Sequence, residues 1–359
     1  MRTLLPHAHL RDIALRPAAT ARVWLGTGVP LETVAVPGVA LGAGDVLVAV
    51  ELSTICESDV HTVQGARSAP TPLVLGHESV GRVIAVGDDG ARTVEGADIR
   101  IGDRVVWSVT VSCGSCDRCN AGMTQKCRTG ANYGDERIEP RWELTGGFAS
   151  HVHLRRGTAV VRVPESLPAA ALAPAACATA TAWAAVARAG RDLDGATVRV
   201  YGAGLLGLSA AAIAADFGAR VQVVDPSPER RVLAERFGVE AVAVDEPVDI
   251  AIEASGLAVG QAIDAVAVGG TVVLVGDAFP GCPVELDSDS VIHRLVTIAG
   301  VHGYTGAELS QAVAFLAGRG RAYGFADVLG AVHALDDADA ALAAASGPDA
   351  PLRIGLVPR

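Results

Sequence analysis

The stretch from Val198 to Gly207, VRVYGAGLLG, constrains the fold most. An apolar run of strand character ends at Gly202, and an apolar helical run starts at Leu205. Gly202-Ala203-Gly204-Leu205-Leu206-Gly207 is therefore expected to turn a strand into a helix. Gly202 allows the tight turn, Gly204 lets backbone approach a pyrophosphate, and Gly207 lets the helix lie against the sheet. The N–H groups at the start of that helix, around Leu205 and Leu206, suit phosphate oxygens. Asp225 ends the next apolar run. Its carboxylate can accept from both hydroxyls of an adenosine ribose and would repel a 2′-phosphate, so NAD is expected over NADP. Arg230 and Arg231 keep NADP open, because an arginine could hold that phosphate. A plain strand–helix turn with a capping Asp is the structural alternative.

The surrounding pattern alternates. An Ala-rich helix is expected over 169–189, then a strand (197–201), a helix (205–217) and a strand (221–224). The following helix carries Ser227 as N-cap, Pro228 at its first position and Gly238 beyond its end. Strands are expected at 248–253, 271–275 and 296–299. Such alternation means a parallel, doubly wound sheet. Before residue 168 the signature differs: short strands at 46–50, 79–86 and 104–109 stand between Gly and Asp punctuation, as in a barrel-like β-domain. The tail holds helices at 307–317 and 336–345 and a strand at 352–357. At 359 residues, two domains are the default. The expected division is 1–168, 169–307, and a return to the first domain over 308–359.

A net charge of −11 with no basic run argues against nucleic acid. The longest apolar run, 169–187, is mostly alanine and carries Pro174, which suits a buried helix better than a membrane span. Pro6, His7, His9, Arg11 and Asp12 interrupt any signal-like apolar core. With no secretion signal, a cytoplasmic protein is expected. Its seven cysteines then suggest metal binding rather than disulfides. Cys113, Cys116, Cys119 and Cys127 follow C-x2-C-x2-C-x7-C. Four thiolates can close a tetrahedral shell on Zn²⁺ with no open position, which makes a structural site. An iron–sulfur run would place the fourth cysteine after three residues and follow it with proline. Here the gap is seven and Arg128 follows.

Cys56, the triplet Gly76-His77-Glu78, the four-cysteine lobe and Gly202–Gly207 occur in an order that resembles the zinc-dependent medium-chain alcohol dehydrogenases. GHESVGRV (76–83) fits that family's GHExxGxV, and GDRVV (102–106) fits its next strand. The resemblance covers essentially the whole chain. It implies an α/β protein with a GroES-like β-barrel catalytic domain, its zinc lobe at 110–130, and a doubly wound Rossmann sheet. It also implies a catalytic zinc held by Cys56, His77 and Cys177, hence two zincs per chain. The fourth position stays open for water or alkoxide.

The neighbours of those ligands take roles by the same resemblance. Asp59 accepts from the ring of His77, Ser58 contacts the bound alcohol, and His61 passes its proton to solvent. Glu78 sits beside the metal, as a transient ligand or a structural group. Thr181 packs on the nicotinamide. The implied reaction interconverts an alcohol and a carbonyl compound by hydride transfer with NAD(H), in a homodimer or homotetramer without membrane partners. Bland readings stay open: Ser58 as a helix N-cap, Asp59 as a loop cap, His61 as an exposed histidine, Cys177 as a buried core cysteine.

Two competing functions are a zinc-free enone or quinone reductase on the same fold and a zinc-containing dinucleotide-binding protein without turnover. The cysteine lobe argues against the first, and the Ser58–Asp59–His61 set against the second. Residues 65–78, 105–109 and 173–181 are similar to a subgroup associated with phosphonate catabolism and with cyclic or secondary alcohols. Trp107 and Val109 are expected near the substrate, and His302 and Tyr304 beside it. Arg67, Arg137 and Arg141 are either anion binders or surface arginines. Cys282 is expected to be a loop thiol. Glu57 departs from the family, where glycine or a basic residue faces the cofactor pyrophosphate. It is expected to point off the zinc, to weaken NAD binding modestly, and to pair with an arginine, Arg353 being the candidate.

Overall fold

The computed structural model describes residues 10–239, 246–276, 283–347 and 349–358. Cys282 and the residues before Leu10 lie outside that set. The chain forms two compact units, one reaching to Ala176 and resuming at Leu329, the other spanning Cys177–Val328.

The first unit is mostly β. Its strands are β1 (Arg11–Trp24), β2 (Glu32–Leu41), β3 (Val46–Thr54), β4 (Leu73–Val74), β5 (Glu78–Val86), β6 (Arg104–Val111), β7 (Ala131–Asn132), β8 (His151–Leu154) and β9 (Thr158–Arg162). Short helices α1 (Glu57–Val63), α2 (Asp117–Asn120) and α3 (Ala169–Leu172) interrupt them. The antiparallel pairing β3–β5 runs from Val46↔Val86 to Thr54↔Glu78, so the end of β3 meets the start of β5. That register places Cys56, just past β3, beside His77, just before β5.

The second unit opens with α4 (Ala178–Arg188) and continues β10 (Thr197–Tyr201), α5 (Leu205–Asp216), β11 (Arg220–Val224), α6 (Pro228–Arg236), β12 (Val248–Glu253), α7 (Val259–Ala265), β13 (Val266–Leu274), α8 (Ser288–His293), β14 (Thr297–Gly300) and α9 (Gly306–Ala317). Its sheet is parallel, in the order β11-β10-β12-β13-β14. The strands read as near-continuous apolar runs because helices cover a parallel sheet. Ser227 caps α6 by accepting from the Arg230 N–H, and Gly238 closes it at φ +71°.

The tail returns to the first unit with β15 (Leu329–Ala334), α10 (Ala338–Ala345) and β16 (Arg353–Val357). β16 pairs with β3 near Thr54, which brings Arg353 under the Cys56 segment.

One sequence expectation changes. The helix expected over 169–189 is broken into α3, a 3₁₀ turn (Ala173–Ala176) and α4, with a 57° bend between the segments flanking Cys177. Pro174 has no N–H to donate and crowds the preceding turn, and Cys177 leaves helical geometry at φ −127°, ψ −75°. By internal contact the two units divide at this break and again after Val328. α3 and the 3₁₀ turn pack on β3 and β5, while α9 packs on α4. Among the described residues no single helix is long and apolar enough to cross a membrane.

Candidate active site

The Cys56 segment is fixed by its helix. Cys56 is the N-cap of α1, and Asp59 at the third position accepts the Cys56 N–H at 2.9 Å. Ser58 thus lies inside the first turn and is not the N-cap. The second oxygen of Asp59 accepts the Gly76 N–H at 3.1 Å, so one carboxylate ties down the segments carrying Cys56 and His77. Gly76 itself turns at φ +91°, where a Cβ would strike the Phe148 ring at 2.5 Å.

His77 is nearly buried, with 9% of its side chain exposed. Its Nδ1 lies 3.7 Å from Asp59 and its Nε2 lies 3.5 Å from the Ser58 hydroxyl. The first of these is an ion-pair distance rather than a hydrogen bond. Burial raises Asp59 to about 7. Burial also works against a charged His77, but Asp59 and the Cys56 thiol outweigh it and bring the imidazole to about 10. Metal binding at His77 is therefore coupled to loss of a proton, as for any imidazole ligand.

Cys177 follows Ala176 directly, at the bend, and its carbonyl accepts the Thr181 N–H at 3.1 Å. The Cys56, His77 and Cys177 donor atoms all lie within 4.8 Å of one another. Two thiolates and an imidazole at that spacing match three corners of a tetrahedral zinc site, whose sulfur–sulfur edge is about 3.8 Å for Zn–S bonds near 2.3 Å.

Glu78 is fully buried and accepts two bonds from Arg353, each 2.7 Å, plus one from the Thr54 hydroxyl at 2.5 Å. Arg353 also reaches the Cys56 sulfur at 3.9 Å. The sequence offered Arg353 to Glu57, and this pairing is overturned. Glu78 is buried and needs the cation, whereas Glu57 is 83% exposed and faces His61 at 3.8 Å, one helical turn on. The bidentate pair joins residues 275 positions apart. Its one sequence signal was an arginine inside the apolar strand LRIGLV.

The lobe is also assembled. Sulfur–sulfur distances are 4.0 Å for Cys113–Cys119, 3.5 Å for Cys116–Cys119 and 4.0 Å for Cys116–Cys127. These fit the tetrahedral edge. The Ser115 and Cys116 N–H groups point at the Cys113 sulfur, and the Cys113 N–H points at Cys127. Hydrogen bonds from Ser115, then Cys116, lower the Cys113 thiol to about 5. No disulfide joins the described cysteines.

In the second unit Gly204 is the N-cap of α5, and a Cβ built on it would meet nothing within 4 Å. Space is thus left above the turn for a phosphate. A Cβ on Gly207 would collide with the Gly202 carbonyl. The Asp225 oxygens accept from Ala203 (2.7 Å) and Ser227 (2.9 Å), which uses two of a carboxylate's roughly four acceptor positions. Arg231 turns back onto the Asp225 and Pro226 carbonyls.

Of the remaining candidates, Trp107 is buried and Val109 partly so. Tyr304 is buried and His302 exposed. Arg67 forms a bidentate pair with Asp135 at 2.7 Å, and Arg137 and Arg141 are exposed.

Residues 42–165 match the alcohol dehydrogenase GroES-like domain family, and 206–318 match the zinc-binding dehydrogenase family. An L-threonine 3-dehydrogenase from Edwardsiella ictaluri is 32% identical over 78% of this chain and 81% of its own length. The chain belongs to the zinc-dependent medium-chain alcohol dehydrogenase family. An alcohol dehydrogenase structure from Thermotoga maritima superposes with a TM-score of 0.87 at 27% identity, covering 95% of this chain and 99% of the other. A zinc-binding dehydrogenase from Sinorhizobium meliloti, solved with NADP, gives 0.80 at 26% identity over 95% and 96%. The chain is an oxidoreductase of that family, acting on alcohols and carbonyl compounds.

Proposed function

We propose that this dehydrogenase holds one zinc between Cys56, His77 and Cys177 for catalysis and a second in the four-cysteine lobe for structure. The convergence of the three donor atoms within 4.8 Å carries this reading. Zinc at the first site would polarise an alcohol or carbonyl oxygen, and a nicotinamide dinucleotide would exchange the hydride. Asp59 orients His77 and anchors both ligand segments. Ser58, whose hydroxyl lies 3.5 Å from the His77 ring, would accept a hydrogen bond from the substrate hydroxyl and, as it takes that proton, give up its own through the nicotinamide ribose to His61. His61, partly exposed on the same helix, would pass a proton on to water. Glu78 is a structural anion in this reading, because Arg353 and Thr54 take three of its roughly four acceptor positions. Gly202, Gly204, Leu205, Leu206 and Gly207 cradle the pyrophosphate, and Thr181 lines the nicotinamide side.

NAD(H) is the preferred cofactor in this reading. Asp225 offers no partner to a 2′-phosphate, and Arg231 is engaged with backbone carbonyls. A homodimer or homotetramer in the cytoplasm is part of the same proposal. The threonine dehydrogenase relatives and the similarity to phosphonate-associated proteins make secondary alcohols with a charged substituent the first substrates to screen. The pairing of Arg67 with Asp135 favours Arg137 or Arg141 over Arg67 for an anionic group. The test is metal analysis of the purified protein with a screen of alcohols and ketones using NAD(H) and NADP(H). Two zincs and NAD-linked turnover are expected. One zinc with no turnover on any substrate would favour a dinucleotide-binding protein without catalysis.

A further inference from the structure

Glu253, the last residue of β12, is 1% exposed and takes no part in the chemistry above. Its carboxylate accepts the N–H groups of Ser255 (3.0 Å), Gly256 (2.8 Å) and Ala258 (3.4 Å), and the Ser255 hydroxyl closes on it as well. Its own carbonyl accepts from Val275 and Gly276. Among the described residues no basic side chain forms an ion pair with it. One buried anion thus organises the turn that follows β12.

That turn stands at a decisive place in the sheet. From β10 the chain moves to β11 on one side, whereas β12, β13 and β14 continue on the other. The switch point lies between β10 and β12, and dinucleotides bind across such a crevice at the carboxyl ends of the strands. A Cβ on Gly202 would sit 3.1 Å from the Ser255 nitrogen. The Ala254 N–H also donates to the Tyr201 carbonyl at 2.9 Å, so the Glu253 turn and the glycine turn leave from hydrogen-bonded strand ends. With the pyrophosphate at Gly204 and the adenosine ribose at Asp225 on the β11 side, the nicotinamide nucleoside falls on the β12 side. A neutral acceptor could hold a turn of this kind. A buried carboxylate adds a negative charge that protein atoms only partly screen.

We infer that Glu253 is a positioning residue of the dinucleotide site, shaping the Ala254–Ala258 turn, and that its charge favours the cationic oxidised nicotinamide over the neutral reduced one. This rests on the reading of the second unit as a nicotinamide dinucleotide site. The test is equilibrium titration of NAD⁺ and NADH against the wild-type protein, Glu253→Gln and Glu253→Asp, followed by calorimetry or NADH fluorescence. In Glu253→Gln the amide nitrogen faces backbone N–H groups and the charge is gone. Both affinities should fall, with the ratio Kd(NAD⁺)/Kd(NADH) rising about fivefold or more.

Glu253→Asp keeps the charge and shortens the reach. Both affinities should weaken together with the ratio held within about twofold. An unmoved ratio in a folded Glu253→Gln protein would overturn the inference. If that variant does not fold, the Asp variant decides: a moved ratio, or affinities that do not change at all, is fatal. Wild-type protein that binds neither nucleotide removes the dinucleotide reading itself, which is a different failure from a wild type that binds both.

Discussion

Cys113, Cys116, Cys119 and Cys127 come from a single stretch of fifteen residues, and Cys113 is exposed. Cys56, His77 and Cys177 come from the end of one strand, the start of another and a helix break, and are each partly buried. The lobe satisfies its thiolates with its own backbone N–H groups. The second cluster is held by groups from elsewhere: Asp59 on two backbone segments, and Arg353 from the far end of the chain. The first cluster can assemble around an ion with little help. The second exists only once the β3–β5–β16 sheet has formed. A locally built site with four donors suits a structural role, and a remotely braced site with three donors leaves room for chemistry.

Five substitutions sharpen or break this contrast. Cys56→Ala should remove one zinc of two and lower kcat/KM by about 10³-fold or more, with the fold retained by circular dichroism. Cys113→Ser should also remove one zinc but register in stability, lowering Tm by about 10 °C if the metal contributes about 3 kcal/mol to the fold. A chain in which both substitutions produce the same loss would erase the distinction.

Arg353→Met comes next. It strands Glu78 in the interior without its cation, at a cost of about 3–5 kcal/mol in chemical denaturation. It should also loosen metal at Cys56 while the lobe zinc remains. Asp59→Asn keeps the shape but weakens the hold on His77. Chelator titration should show metal affinity at this site down about 10- to 100-fold, with the lobe unaffected. The smallest effect belongs to Glu57→Gly. Its exposed contact with His61 is worth at most about 1 kcal/mol, so zinc content should stay unchanged and NADH should bind up to a few-fold tighter. Loss of zinc in that variant would sink the assignment of Glu57 as a non-ligand.

Legibility followed the same division. The lobe, the glycine turn and the Ser227–Pro228 helix start are local patterns, and their spacing carries their geometry. Cys56 and His77 were found through motifs, but their closeness depends on the β3–β5 register, which periodicity alone does not fix. The Glu78–Arg353 pair was missed because a partner 275 residues away leaves no local trace. Arg353 was noticed and given to the wrong carboxylate. The helix over 169–189 was read through Pro174 because alanine-rich propensity summed over a long window hides a single missing N–H. Glu253 was read simply as the end of a strand. Its burial and its four donors emerge only from the turn that folds back on it.

The break after Pro174 has one further consequence. In an uninterrupted helix, Cys177 would be one position on a smooth cylinder, its sulfur aimed by the 100° rotation between successive residues. In this fold it stands at the opening of a new helix, with its backbone turned out of that cylinder at φ −127°, ψ −75°. A chain straightened at residue 174 would lose the direction of that sulfur, without any change to the cysteine.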